Sequence, residues 1–388
     1  MELLDRLANL TQNMNLEPAE DAGCPKLAEE ALPANLNPRR RDPIISQAVL
    51  PNGKRIRLLK TLLTSACERN CFYCPFRAGR DFRRETFRPE EMASTFMALN
   101  RGGIAEGIFL SSGIAGGSLR TQDQMLDTAA VLREKYQYRG YLHLKLMPGA
   151  EAAQIEQAMK LANRVSVNLE APNTARLERL APRKQFIDEL MQPLRIVQEI
   201  RSRQPARLGW NGRWPSTTTQ FVVGAVGESD LELLSTTVYL QRNLGLARAY
   251  YSAFHPVSDT PFEALPGESP QREHRLYQAS FLLRDYGFDL EELPFNIQGE
   301  LPRTTDPKTA WAKTNLLQAP IEINQADLPQ LLRIPGIGPK GARQIIASRR
   351  HSTIKDVNDL RRIGINPRRS IPFILLDGHR PPQQLTLL

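Results

Sequence analysis

The sequence predicts an α/β protein, a partial (β/α)6 barrel followed by a small all-α domain. Three observations predict it. Between residues 55 and 290, six short β-type runs alternate with helical runs, and strands separated by helices pair in parallel through crossover connections. The stretch 294–320, PFNIQGELPRTTDPKTAWAKTNLLQAP, then breaks the alternation. Beyond it, the chain reads as short helices punctuated by Gly-Ile-Gly and Gly-Ile-Asn turns.

The β-type runs are RLLKTLLTSA (57–66), GIFLSSG (107–113), GYLHLKLMPG (140–149), RVSVNLEA (164–171), TTTQFVVG (217–224) and RAYYSAFHP (248–256). Helical runs such as PEEMASTFMALNRGG and FIDELMQPLRIVQEIRSRQ lie between them, and PQREHRLYQASFLLRDYG follows the sixth. The expected organisation is a lead-in over 1–50, a barrel over 51–293, an extended linker lying along the barrel over 294–320 and a helical domain over 321–388. A barrel gathers its chemistry at the C-terminal ends of its strands.

A chain of 388 residues, 41% hydrophobic and 24% charged, has the composition of a globular protein with room for two domains, which excludes disorder and fibrous repeats. No apolar run is long enough to cross a bilayer, and the N-terminus lacks a signal-peptide pattern, so a cytoplasmic location is expected. With 51 Lys and Arg against 42 Asp and Glu the net charge is +9. Residues 321–388 hold 11 basic and 5 acidic residues, so this tail alone supplies +6. That field suits a polyanion or a solvated basic surface, and charge by itself does not choose between them.

Strands of a parallel sheet are normally apolar on both faces, so polar faces locate a site. Ser166, Asn168 and Glu170 share one face of RVSVNLEA, His143 and Lys145 stand opposite three leucines, and Gln220 interrupts an apolar run. These groups either look into a wet barrel lumen or are satisfied polar groups of the core.

Cys67, Cys71 and Cys74 crowd into eight residues, spaced Cys-x3-Cys-x2-Cys directly after the first run. No His lies nearby and Cys24 is far upstream, whereas a structural zinc site takes four ligands. Three thiolates on a four-iron cubane leave one iron open, as a catalytic cluster requires. Together with Tyr73, the cysteines resemble the Cys-x3-Cys-x-aromatic-Cys hallmark of the radical S-adenosylmethionine (radical SAM) superfamily. The resemblance implies a [4Fe–4S] cluster on the three cysteines, with S-adenosylmethionine bound at the open iron and cleaved to a 5′-deoxyadenosyl radical by an electron from a donor such as flavodoxin or ferredoxin. It implies cofactor contacts at Tyr73, at Ser111, Ser112 and Gly113, at Asn168 and Glu170, and at Gln220. Ser111-Ser112-Gly113 stands where the superfamily often has Gly-Gly-Glu, so here hydroxyls replace a carboxylate. Arg77, Arg80, Arg83, Arg84 and Arg88 follow the cysteines. They form either a solvated helix face or a belt that grips phosphates at the mouth of the site. Cys24 is read as a lone reduced thiol.

In INQADLPQLLRIPGIGPKGARQIIASRR a helix runs to Ile334, a Pro-Gly-Ile-Gly turn follows, and Pro339 opens a second helix. Gly336, Ile337 and Gly338 would turn backbone amides toward an anion at the positive end of that helix, with Lys340 adding charge and Gly341 allowing close packing. This resembles the helix-hairpin-helix DNA-binding motif in tandem form. A weaker copy, KDVNDLRRIGINPRRS, has Asn366 in place of the second glycine.

From about 50 to 380 the chain resembles an uncharacterised bacterial family described as DNA modification or repair radical SAM proteins, on stretches including LLKTLLTSACERNCFYCPFRAGRDFRRETF, RVSVNLEAPN and RIPGIGPKGAR. The resemblance implies DNA as substrate and a uracil-DNA-glycosylase-like partner. Three rivals stand beside it: the same chemistry on RNA, the same chemistry on a small molecule or protein with the hairpins as a partner module, and a non-catalytic iron–sulfur DNA-binding protein.

Overall fold

A computed structural model describes residues 2–12, 14, 45–50 and 53–382. Cys24 and the Arg39–Arg41 run of the lead-in lie outside these residues. The chain forms two compact units, Met1–Glu228 with Tyr239–Ser269, and Ser229–Val238 with Pro270–Leu388.

The first unit is built on a curled seven-stranded sheet whose spatial order follows the chain: β1 (Ile45–Val49), β2 (Arg55–Leu62), β3 (Gly107–Ser111), β4 (Tyr141–Lys145), β5 (Arg164–Ser166), β6 (Ser216–Val223) and β7 (Arg248–Ala253). The pairs from β2 to β7 are parallel, which makes the expected six-stranded half-barrel, and β1 adds an antiparallel strand to its edge. Helix α1 (Glu2–Thr11) precedes the sheet. The crossovers carry α2 (Pro89–Arg101), α3 (Ser118–Ala130), α4 (Ala152–Leu161), α5 (Thr174–Leu180), α6 (Gln192–Arg203) and α7 (Asp230–Leu244). Strand β3 is buried at all five positions, as a sheet covered on both faces requires. Helix starts follow local signals: Pro89 sits in the first turn of α2, and the Asn173 side chain accepts from the Arg176 amide to cap α5.

The polar strand residues divide. His143 Nε2 meets Ser166 Oγ at 2.9 Å, and Arg164 reaches Ser216 Oγ at 2.8 Å and Tyr250 Oη at 3.3 Å, so these are hydrogen-bonded groups of the core. The run expected as a strand through residue 171 ends at Ser166. Glu170 then takes a left-handed φ of 64° and rejoins the sheet through a single bridge to Phe221. A simple alternation of faces therefore does not carry through to Glu170.

The second unit holds α8 (Pro270–Asp285), α9 (Pro307–Asn315), α10 (Leu328–Arg333), α11 (Pro339–Ser348) and α12 (Val357–Arg362), plus a two-residue parallel ladder of β8 (Ile321–Glu322) and β9 (Ile374–Leu375). Two expectations need correction. The boundary drawn at 293 falls at 269–270, since α8 groups with this unit. The stretch 294–320 is not an extended linker, because it carries α9, capped by Asp306 on the Thr309 amide, and Ala312 and Leu316 enter one core with Ile334, Ile337, Ile345 and Leu360. The C-terminal module is helical as expected, with the short β8–β9 ladder joining Ile321–Glu322 to Ile374–Leu375. Among the described residues no helix is long and apolar enough to cross a membrane.

Ala312→Asp separates the two readings of 294–320. A linker would tolerate it, but at a fully buried position an unpaired carboxylate should destabilise this unit by about 3 kcal/mol or more. Thermal unfolding of the full chain measures the difference.

Candidate active site and candidate nucleic-acid interface

The loop after β2 is held in place before any ligand is considered. Arg84 donates to four of its carbonyls, those of Ser65, Phe76, Arg77 and Arg80, and its guanidinium lies 4.2 Å from the Phe82 ring. Arg80 donates to the Pro75 and Ser258 carbonyls, and Arg83 pairs with Glu85. Arg80, Arg83 and Arg84 are thus neither a helix face nor a free phosphate grip: residues 75–87 are turns and irregular backbone, and Arg80 and Arg84 brace them. On the other side, the Glu68 amide donates to the Ile114 carbonyl, the Phe72 amide to Leu180 and the Gly113 amide to Thr64, at 2.7–2.9 Å. A Cβ on Gly113 would lie 2.3 Å from the Ala66 carbonyl oxygen, so only glycine lets the end of β3 meet the loop this closely.

This packing surrounds a pocket at the C-terminal ends of the strands. Cys67, Cys71 and Cys74 line it, as do Tyr73, Ser111, Ser112, Gly113, Asn168, Glu170 and Gln220. Every residue singled out for cluster and cofactor therefore faces one space. Asn168 Nδ2 donates to Gln220 Oε1 at 3.1 Å, bridging two neighbouring strands. Ser112 Oγ is buried without a hydrogen-bond partner. An orphaned hydroxyl at the wall of a pocket is a group waiting for a ligand.

Sequence reasoning missed Lys184, Leu146, Met147 and the segment Ser252–His255, and it noted Lys145 only as a polar strand residue; all of these line the pocket. Lys184 Nζ meets Glu170 Oε1 at 3.0 Å, with both side chains buried. Burial alone would push the Glu170 carboxyl up, but Lys184 and Lys145 outweigh it and hold the group below the usual carboxylate range. Burial likewise acts to lower Lys184, and the anionic groups around it reverse the direction. The pair is therefore ionised at neutral pH. Its stabilisation is present there and is lost as acid protonates Glu170.

Burial pushes the Cys71 and Cys74 thiols up; neighbouring thiols add to it, Cys67 on Cys71 and Cys71 on Cys74, and Lys184 opposes it. Binding a metal through them would release their protons. The donor set fits an iron–sulfur cluster: three thiols on one braced loop, with Cys67 Sγ accepting from the Ile114 amide at 3.5 Å and Cys74 Sγ from Phe76 at 3.4 Å. Among the described residues no group of three or more His, Cys, Asp or Glu is placed around a single metal ion.

In the second unit, Gly336 is exposed with φ 84°. The Ile337 side chain is buried in the core while Lys340 is exposed, in the first turn of α11. Gly338 has an ordinary φ of −103°, and a Cβ there would meet the Tyr286 hydroxyl at 3.2 Å; the left-handed turn depends on Gly336 instead. Gly341 faces Ile365 of the second copy at 3.6 Å. That copy is abbreviated: after α12 and Gly364, Asn366 caps a single 3₁₀ turn over Pro367–Arg369, where the first copy has the whole of α11.

A half-barrel with three thiols on the loop after its first parallel strand defines a class. Residues 61–230 match the family described as Radical SAM superfamily, so the chain carries a radical SAM domain; domains of this superfamily are enzymes whose cofactors are a [4Fe–4S] cluster and S-adenosylmethionine. Residues 318–367 match the helix-hairpin-helix motif. Among solved structures, the chain is similar to the [FeFe]-hydrogenase maturase HydG from Carboxydothermus hydrogenoformans, with 15% identity, 58% of this chain and 51% of that chain covered, and a TM-score of 0.46. It is also similar to methylornithine synthase, at 15% identity, 58% and 61% coverage and a TM-score of 0.46. A radical SAM methyltransferase from Sphaerobacter thermophilus is 16% identical, with 61% and 69% coverage and a TM-score of 0.42. The chain spans about half the length of the HydG structure. No curated protein matches it.

Two predictions follow from the pocket geometry. Replacing Cys67, Cys71 or Cys74 by Ala should abolish uptake of the roughly four irons expected on anaerobic reconstitution, read by iron content and absorbance. Glu170→Ala should cost about 3–5 kcal/mol by stranding the Lys184 ammonium, and adding Lys184→Met should restore most of that loss, read by denaturant unfolding of the apoprotein.

Proposed function

We propose that the chain is a cytoplasmic radical SAM enzyme that modifies or repairs a nucleotide in DNA. Cys67, Cys71 and Cys74 would hold the cluster, and Tyr73, Ser111–Gly113, Asn168, Glu170 and Gln220 would hold S-adenosylmethionine, with Ser112 Oγ as the donor left open for it. When bound, the two supply a 5′-deoxyadenosyl radical that takes a hydrogen atom from a substrate. Buried walls such as Leu146, Met147 and Phe254 exclude water from the reacting centre. An electron would come from a flavodoxin or ferredoxin, and a uracil-DNA-glycosylase-like protein would work beside the enzyme.

The observation that carries the DNA half is the turn from Gly336 to Lys340. Its apolar side chain points inward, so backbone is what it offers outward, next to an exposed ammonium. Helix α11 begins at Pro339, and the first-turn amides of Lys340 and Gly341 stand outside the helix's own ladder. Such a surface suits a phosphate and carries no base code, so it anchors the enzyme without selecting a sequence.

Reduced, reconstituted enzyme should release 5′-deoxyadenosine faster with DNA than without it. Stimulation by RNA alone would move the substrate to RNA, and stimulation by neither nucleic acid would move it to the small-molecule or protein class. In a salt titration of DNA binding, Lys340→Ala should lower the slope by about one unit. Gly336→Val should weaken binding more than Gly338→Val, because only Gly336 has a left-handed φ, with Arg369 Cβ 3.1 Å from any added Cβ.

A further inference from the structure

Beneath the hairpin turn lies a charge that the motif itself does not contain. Lys308, in the first turn of α9, is buried, and its Nζ donates to the Ile337 carbonyl at 2.6 Å. The Tyr286 ring lies 4.7 Å from the ammonium, and the Tyr286 hydroxyl is the group that a Cβ on Gly338 would meet. Lys308 and Tyr286 therefore form the floor of the Gly336–Lys340 turn.

We propose that Lys308 is a positioning residue for the anion-binding turn: its ammonium holds the Ile337 carbonyl from inside, while the Ile337 amide is itself tied to the Ile334 carbonyl, so that the first-turn amides of Lys340 and Gly341 face a DNA phosphate, whose charge then offsets the buried cation. This rests on the DNA reading above. A carbonyl turned outward would repel a phosphate, and tying it inward removes that repulsion. A buried ammonium is also costly without an anion close to it. The charged groups around Lys308 give little help. Asp306, at the start of α9, is taken by Arg369 of the 3₁₀ turn, and Arg333, at the end of α10, is itself cationic and held by Glu292. Burial, with Arg369 and Arg333 adding to it and Asp306 opposing, brings the free Lys308 down to about 7. A phosphate on the outer face of the turn raises it again. Above about pH 7 binding must then take up a proton, so affinity falls as pH rises, by at most about tenfold per unit.

The test is duplex-DNA binding by the full-length chain between pH 6 and 9, for the parent, Lys308→Met and Lys308→Arg. The parent should bind less tightly above pH 7. Lys308→Met should bind about tenfold more weakly at pH 6 and lose the parent's pH dependence. Lys308→Arg should keep the affinity and also lose the pH dependence, since guanidinium stays charged; comparison within the set cancels other titrating groups. If the parent binds DNA but Lys308→Met matches it in affinity and pH profile, the proposal is overturned and the DNA reading survives. A parent that binds no DNA overturns the DNA reading. Should Lys308→Met fail to fold, the parent and Lys308→Arg decide, and a parent affinity flat from pH 7 to 9 overturns the proposal.

Discussion

The end of β3 comes so near the cysteine loop that no side chain fits between them, and the pocket depends on this approach. Gly113 supplies the missing side chain, and its amide bonds the Thr64 carbonyl at 2.7 Å. From that contact the rest follows in order. Ser111 and Ser112 come to stand beside the thiols, the Ile114 amide reaches Cys67 Sγ, and the Ile114 carbonyl takes the Glu68 amide. A single Cβ would separate the Ser111–Gly113 wall from the cysteine loop, so both sides of the pocket share one steric condition.

The pocket also fixes its own charge. Burial pushes the Cys71 and Cys74 thiols up, while the Glu170–Lys184 pair keeps both of its charges in a buried setting. Beside that pair the wall carries the cations Lys145 and Arg69 and the dipoles of Asn168 with Gln220 and of the Ser112 hydroxyl. Positive charge and oriented dipoles thus share one wall, which suits a ligand that brings a carboxylate.

Much of the first unit was legible in the sequence, for a physical reason. Buried parallel strands must be short apolar runs, and three thiols in eight residues have few roles, so six strands and the three cysteines stood out. What failed to show was contact between distant segments. Lys184 sits in a connection with no period to mark it, and nothing local says that it will reach Glu170. The left-handed Glu170 hid because an alternating pattern suggests a continuing strand. The error over 294–320 was of another kind: Asp306-Pro307 is a readable helix start, a cap followed by proline, but the Thr- and Pro-rich context outweighed it. The unit boundary was illegible because Ser229–Val238, which runs into α7, groups with residues far along the chain.

The Arg84 brace concentrates the shape of the cysteine loop in one side chain. Four carbonyls gathered by one guanidinium, together with amides tied to Ile114 and Leu180, set the path of the loop. A residue that lines no part of the pocket thus sets where the three thiols stand, so a change at Arg84 would reach them through the backbone and not by contact.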